Sequence, residues 1–259
     1  MHDLHPGPPV NQADFTILGE NADFLAVNKP AGMLVHPTRP GGPPTLWDGV
    51  CGLLGYELKT GGSVSIVNRL DRETSGVVVV AKHAGAARCA GIAMERREVE
   101  KHYEAVVFGH PPWDKIDLDA PVARVGEFGP SPVHLLRGVH PRGAPAQTGF
   151  RVMARMDSPH GPVALLAVRP LTGRTHQIRV HLAHLGFPVV GDKLYARGCD
   201  AYLEFIQTGW TPRLEARLIA PRHLLHCSKM RIAGNTFEAP RPADLHAFLS
   251  PPCRNTPNR

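Results

Sequence analysis

At 259 residues, 42% hydrophobic and 20% charged, the chain is sized for one large globular domain or two halves sharing a cleft, with ample core. Lys+Arg 29 against Asp+Glu 23 leaves a net charge of +6 and a pI near 9.3, a balance that suits a nucleic-acid partner without requiring one. Five scattered cysteines with no Cys-x-x-Cys pair argue against a zinc ribbon or disulfide framework, and no apolar run reaches transmembrane length, so a cytoplasmic protein is expected.

In chain order, residues 1–13 are rich in Pro, Gly and His and are expected to be disordered. Phe15 to Leu18 and Phe24 to Asn28 are short strand candidates about a Gly19-Glu20-Asn21 turn, and Lys29-Pro30-Ala31-Gly32 breaks the second strand. Thr38 to Thr45 reads as a flexible loop. Ser63 to Val67 is a short strand and Val77 to Ala81, a β-branched run, a buried one. Gly85 to about Glu98 carries Ala86, Ala90 and Met94 down one side of a helix. Lys101 to Gly109 is a strand. Short strands are expected at Val122–Val125 and Val133–Leu136, and a hairpin over Gly149–Met156 and Val163–Val168. Thr175 is placed to cap a helix from His176 to Leu185 with Ile178, Leu182 and Leu185 inward. Asp200 to Gln207 is a short helix, Arg222–Cys227 and Met230–Ile232 closing strands, Arg241 to Leu249 a last helix, and 250–259 a tail.

The sharpest chemistry lies between the two strands at 63–67 and 77–81. Val67-Asn68-Arg69-Leu70-Asp71-Arg72-Glu73-Thr74-Ser75-Gly76 puts one carboxylate, Asp71, in a loop at a strand end, where a rigid scaffold commonly holds reactive groups. Arg69 and Arg72 can keep it ionised, since a nearby cation lowers a carboxylate pKa by roughly 1–3 units. A salt-bridged turn is the plainer reading of the same residues. His176, His181 and His184 invite a metal reading, but spacings of five and three do not put all three on one helix face, and no metal is expected.

R-L-D-R-E-T-S-G (69–76) closely resembles the signature of the RluA-type family of RNA pseudouridine synthases. The resemblance recurs in V-N-K-P-A-G-M-L-V-H-P (27–37), K-x-Y-x-A-x-V-x-G (101–109), T-G-R-T-H-Q-I-R-V-H-L (172–182), Gly191-Asp192-Lys193-Leu194-Tyr195 and R-H-L-L-H (222–226). Asn68 stands where the family usually has His, which touches local hydrogen bonding more than the reacting group. The blocks run from about Phe15 to Leu249, so 14–249 is expected to be one catalytic domain, with no small N-terminal RNA-binding domain before it. The resemblance implies an α+β fold, a long mixed and largely antiparallel sheet flanked by helices, with a cleft across its middle.

It also implies that Asp71 is the catalytic residue, that Tyr103 lines the active site, and that an arginine stands beside Asp71. Arg174 is the better positional match for that arginine. Lys29, Arg69, Arg72, Gln177 and Arg179 are then left to hold RNA. The implied activity is isomerisation of specific uridines in transfer or ribosomal RNA, with the target nucleotide flipped out. Asp71 acts as a covalent nucleophile or as a base, no cofactor takes part, and the protein works as a monomer. Two other readings compete: a glycosidic hydrolase using Asp71 and Glu73, and an RNA-binding module without chemistry.

Overall fold

The computed structural model describes residues 15–249, so the expected disordered segment at 1–13 and the tail at 250–259 lie outside the described residues. The chain begins with a hairpin, β1 (Thr16–Glu20) and β2 (Phe24–Lys29), turned by Asn21, whose side chain accepts the backbone N–H groups of Asp23 and Phe24. Two short helices follow, α1 (Leu46–Leu53) and α2 (Gly55–Lys59). The expected loop ends at Thr45, which opens α1 through a reciprocal cap with Asp48. Next come β3 (Ser65–Ile66), β4 (Ser75–Ala81), α3 (Ala84–Glu95) and β5 (Glu100–Phe108). The Ala face of α3 is buried through Ala86, Ala90 and Ala93.

From there the chain forms β6 (Lys115–Asp119), β7 (Val122–Arg124) and β8 (Arg137–Val139), then the long hairpin of β9 (Gln147–Ser158) and β10 (Gly161–Pro170). The strand expected at Val133–Leu136 is instead a turn, closed by Leu136 N–H donating to Val133 O, and the pairing segment starts at Arg137. Helices α4 (Gln177–His184), α5 (Asp200–Thr208) and α6 (Pro212–Leu218) lead to β11 (Leu225–Ile232), β12 (Asn235–Glu238) and α7 (Ala243–Leu249).

One ten-stranded sheet runs β1-β2-β4-β11-β5-β10-β9-β6, with β12 paired to β11 and β3 to β4; β7 and β8 form a separate ribbon. Every described pairing in the large sheet is antiparallel except β4 with β11. The architecture is therefore the mixed, largely antiparallel α+β sheet that the resemblance implies. β4 is central, and all seven of its residues are buried, which its unbroken Val run anticipates.

The edge of β4 is shared. β3 pairs with its far end at Val80 and Ala81, and β11 with its near end at Ser75 and Gly76. Residues 67–74 must therefore leave the sheet and return at that junction. Gly76 makes this possible: its φ is +116, and a Cβ there would lie 2.1 Å from Cys227 O on β11.

Candidate active site

Asn68 holds the first half of the returning loop. Its buried amide donates to Val77 O at 3.0 Å and accepts from Val79 N at 2.9 Å. A side-chain amide has the same donor and acceptor as a peptide group, so Asn68 extends the β3–β4 ladder just where the backbone peels away. The residue that departs from the family pattern thus has a hydrogen bond at both its amide nitrogen and its amide oxygen.

The second half is pinned by hydroxyls. Thr74 Oγ1 lies 2.7 Å from His223 Nε2 and Ser75 Oγ 2.9 Å from His226 Nδ1, all four side chains buried. Between these anchors Lys193 Nζ donates to Glu73 at 2.6 Å, and the backbone N–H of His223 donates to the other Glu73 oxygen at 3.3 Å. Lys193 is itself covered by the Phe205 and Trp210 rings. On the opposite side Arg72 O accepts from Gly32 N–H and from Lys29 Nζ, which also donates to Pro30 O and Met33 O.

Asp71 sits at the centre of this frame with 27% of its side-chain surface open. Its Oδ2 accepts from Arg179 at 2.9 Å, and the rest of that guanidinium grips Asp192 through a two-pronged pair at 2.6 and 2.8 Å. Asp192 is wholly buried and accepts the Leu194 and Tyr195 backbone N–H groups as well. Tyr195 in turn lays its ring against Arg179, 5.0 Å from the guanidinium carbon. Burial works to raise the Asp71 carboxyl. Arg179, with His176 and Lys29 behind it, overrides burial and leaves that carboxyl below the ordinary range. The site therefore presents one ionised, half-open carboxylate whose cation is fixed from below.

Tyr103 stands on β5 directly opposite Cys227 of β11 and is buried. Burial, the Cys227 thiol hydrogen-bonded to it and the Asp71 charge together push its phenol well up, so the hydroxyl keeps its proton. Tyr103 and the end of the Asp71 loop meet at one strand position, since Tyr103 and Gly76 both pair with Cys227 of β11.

The arginines exchange places. Arg174 is exposed and donates from Nε to Pro145 O, while Arg179 makes the contact expected of Arg174. His176 takes φ 58 and ψ 15, the helix starts at Gln177, and Thr175 caps nothing. One turn into the helix, residue 179 then faces the Asp71 loop. Gln177 is not free for RNA either. It is buried, accepting from Arg174 N–H and Thr172 and donating to Gln147 O and Thr148. Lys29 also leaves the RNA-facing set, being fully buried; burial pulls its ammonium down to about 7, against the raising effect of Asp71.

Of the expected RNA contacts, Arg69 and Arg72 remain at the surface, Arg72 with Nε bonded to Gly32 O. The three histidines separate: His176 meets Tyr195, His181 is buried between Thr148 and Ala120 O, and His184 is exposed. Asp192, Tyr195, Lys193 and His223 were not singled out as site residues by sequence reasoning. The Gly191-Asp192-Lys193-Leu194-Tyr195 run carried the signal, a glycine turn followed by opposite charges, but not the partners.

Solved pseudouridylate synthase domains share this fold. The human RNA pseudouridylate synthase domain containing 1 superposes with a TM-score of 0.67 over 93% of this chain and 90% of that one, at 25% identity. A family model described as RNA pseudouridylate synthase matches residues 23–184, and the chain belongs to that family. It is 39% identical over 235 residues to an uncharacterized RNA pseudouridine synthase of Chloroflexus aurantiacus, covering 86% of this chain and 64% of that protein. It is 38% identical over 181 residues to the ribosomal large subunit pseudouridine synthase D of Yersinia pestis, covering 69% of this chain and 52% of that one. The chain thus spans less than two thirds of the length of these curated relatives. Among the described residues no helix is long and apolar enough to cross a membrane.

Proposed function

We propose that this protein is an RNA pseudouridine synthase, an isomerase that converts uridines of structured RNA to pseudouridine. Large-subunit ribosomal RNA is the first substrate to test and transfer RNA the second. The observation that carries the reading is the Asp71–Arg179–Asp192 arrangement: a carboxylate kept ionised by a buried guanidinium, with its other face open to a substrate. The reaction breaks the ribose C1′–N1 bond, turns the uracil, joins C5 to C1′, and removes the C5 proton while N1 gains one. It conserves mass and is redox-neutral, so no cofactor or metal is needed.

Asp71 either attacks as a nucleophile or removes a ribose proton; both roles require the ionised form. Tyr103, protonated and beside it, packs against the detached base or relays the C5 proton. The target must leave its stack at a cost of a few kcal/mol. Arg69, Arg72 and Arg174 at the surface then grip the phosphates, with the protein acting as a monomer in the cytoplasm. The hydrolase reading is disfavoured because Glu73, its second carboxylate, is held by Lys193.

The test is incubation of the purified protein with large-subunit ribosomal and transfer RNA, pseudouridines being mapped by carbodiimide-dependent primer extension. Wild type should yield new pseudouridine at discrete positions, and Asp71→Asn should bind RNA with wild-type affinity but leave turnover below a few per cent. Release of free uracil, or binding with no isomerisation of either RNA or of total cellular RNA, would overturn the proposal.

A further inference from the structure

His176 is left without a task by the chemistry above. Its left-handed backbone is one that a side chain with a Cβ rarely holds unless its surroundings impose it, and such positions cluster at functional sites. It makes no side-chain bond to the first turn of α4. Instead its ring stands edge-on to Tyr195, centroids 5.8 Å apart, with Nδ1 2.9 Å from the Tyr195 hydroxyl.

The protons in that contact can be assigned. Tyr195 Oη accepts the Arg137 backbone N–H at 3.1 Å, and we assign its own hydrogen to His176 Nδ1, the acceptor found within its reach. Burial, reinforced by the Arg179 charge, holds the imidazole near 4, so the ring is neutral at ordinary pH. A neutral imidazole that accepts at Nδ1 carries its hydrogen on Nε2. Among the described residues Nε2 meets no hydrogen-bond partner and is not sealed from solvent. The ring is linked to Asp71 through Tyr195, which it bonds, and Arg179, which lies over the Tyr195 ring and bonds Asp71. A donor therefore stands in the same cluster of contacts as the reacting carboxylate, with no partner among the described residues.

We propose that His176 touches substrate, its Nε2–H donating to an acceptor oxygen of the nucleotide being isomerised, either a uracil carbonyl or the adjoining phosphate. This rests on the pseudouridine synthase reading. The experiment measures single-turnover isomerisation by wild type, His176→Asn and Tyr195→Phe on one short RNA. The target uridine is unmodified, 2-thio, 4-thio or flanked by a methylphosphonate. Asparagine tolerates the left-handed backbone, and Tyr195→Phe keeps the imidazole but releases its tautomer, so the second variant serves if the first does not fold.

On unmodified RNA, His176→Asn should be slower by about tenfold or more, the scale of one lost hydrogen bond to substrate, and Tyr195→Phe should be slowed less. One analogue, in which sulfur or methyl replaces the accepting oxygen, should slow wild type to the variants' rate and leave the variants no slower. Which analogue does so tells base from phosphate. Variants at the wild-type rate, or slowed equally on all four RNAs, would overturn the role of His176 alone. Wild type that isomerises none of them would take down the functional reading and this inference with it.

Discussion

Arg179 makes three hydrogen bonds to two carboxylates, and the two respond differently to its loss. Asp192 is sealed, and stranding a buried charge costs about 3–5 kcal/mol, so Arg179→Ala should be strongly destabilised. Arg179→Lys keeps a charge but loses the fork, and should fold with reduced activity. Asp71 carries the pH signature. Its carboxyl lies below the ordinary value because of Arg179, so weakening that cation raises its pKa, and the ionised form is lost at higher pH. The acid limb of the pH–rate profile should therefore move upward in Arg179→Lys and stay in place in Arg174→Ala. A shift in the Arg174 variant instead would return the two residues to their expected roles.

Lys29 is also shifted down, by burial instead of by a paired charge. Its native pKa of about 7 lies below the unfolded value near 10.4. Below about 7 both states hold the proton and the native state bears the full burial cost. Between the two values the unfolded chain binds more protons, so stability rises with pH, by an amount on the order of a few kcal/mol. Urea midpoints from pH 7 to 9.5 should climb in wild type relative to Lys29→Met, whatever that variant's absolute stability. Parallel curves would mean that Lys29 stays charged throughout. The burial of Lys29 is invisible locally, because nothing in Lys29-Pro30-Ala31-Gly32 says that three carbonyls, one of them Arg72 O, converge on the ammonium.

Among the elements, β4 and its loop are the part most legible in sequence, since an unbroken Val run after a charged turn has few other structural meanings. The β9–β10 hairpin was equally plain from alternation on both sides of Pro159 to Pro162. Helix α1 was missed although Thr45 and Asp48 spell a cap, because the Pro and Gly before it dominated the reading. Helix α4 starts at Gln177, one residue past the expected His176, because His176 takes a left-handed backbone that its neighbours in sequence do not announce. Arg174 was expected beside Asp71 on its positional match to the family block, and such a match does not say which arginine turns toward the loop. Gly76 offers the element-scale prediction. Alanine there would put its Cβ into Cys227 O and require a backbone that alanine resists. Gly76→Ala should part β4 from β11, lower stability by more than about 3 kcal/mol and abolish activity; a folded, active variant would show that the junction yields.

For the whole molecule, the +6 charge matters through its exposed share. Arg69, Arg72 and Arg174 are exposed, and RNA affinity should fall with salt by about 0.7 log units per log salt for each phosphate contact on a single strand. Replacing all three by Ala should flatten that slope by about 2 if each grips a phosphate. An unchanged slope would move the RNA path elsewhere. The family and sheet class were readable because the motif blocks span the chain. The partner of each charge was not, since Glu73 and Lys193 lie 120 positions apart.

The place of β11 in the sheet bears on how the molecule comes into being. Strands β1 to β4 form one partial sheet and β5, β10, β9 and β6 another, and among the described strands only β11 lies between them, joining β4 to β5. Ser75 and its anchor His226 are 151 positions apart. While the chain emerges from a ribosome, the Val-rich edge of β4 and the inner edge of β5 must both wait, open to any other strand, until the last quarter is made. Asp71 lies in the first partial sheet, while Arg179 and Asp192 come after the second, so the nascent protein holds its carboxylate and its cation on separate bodies. Catalytic competence then arrives late and all at once. Newly made chains should lean on chaperones until β11 has threaded into place.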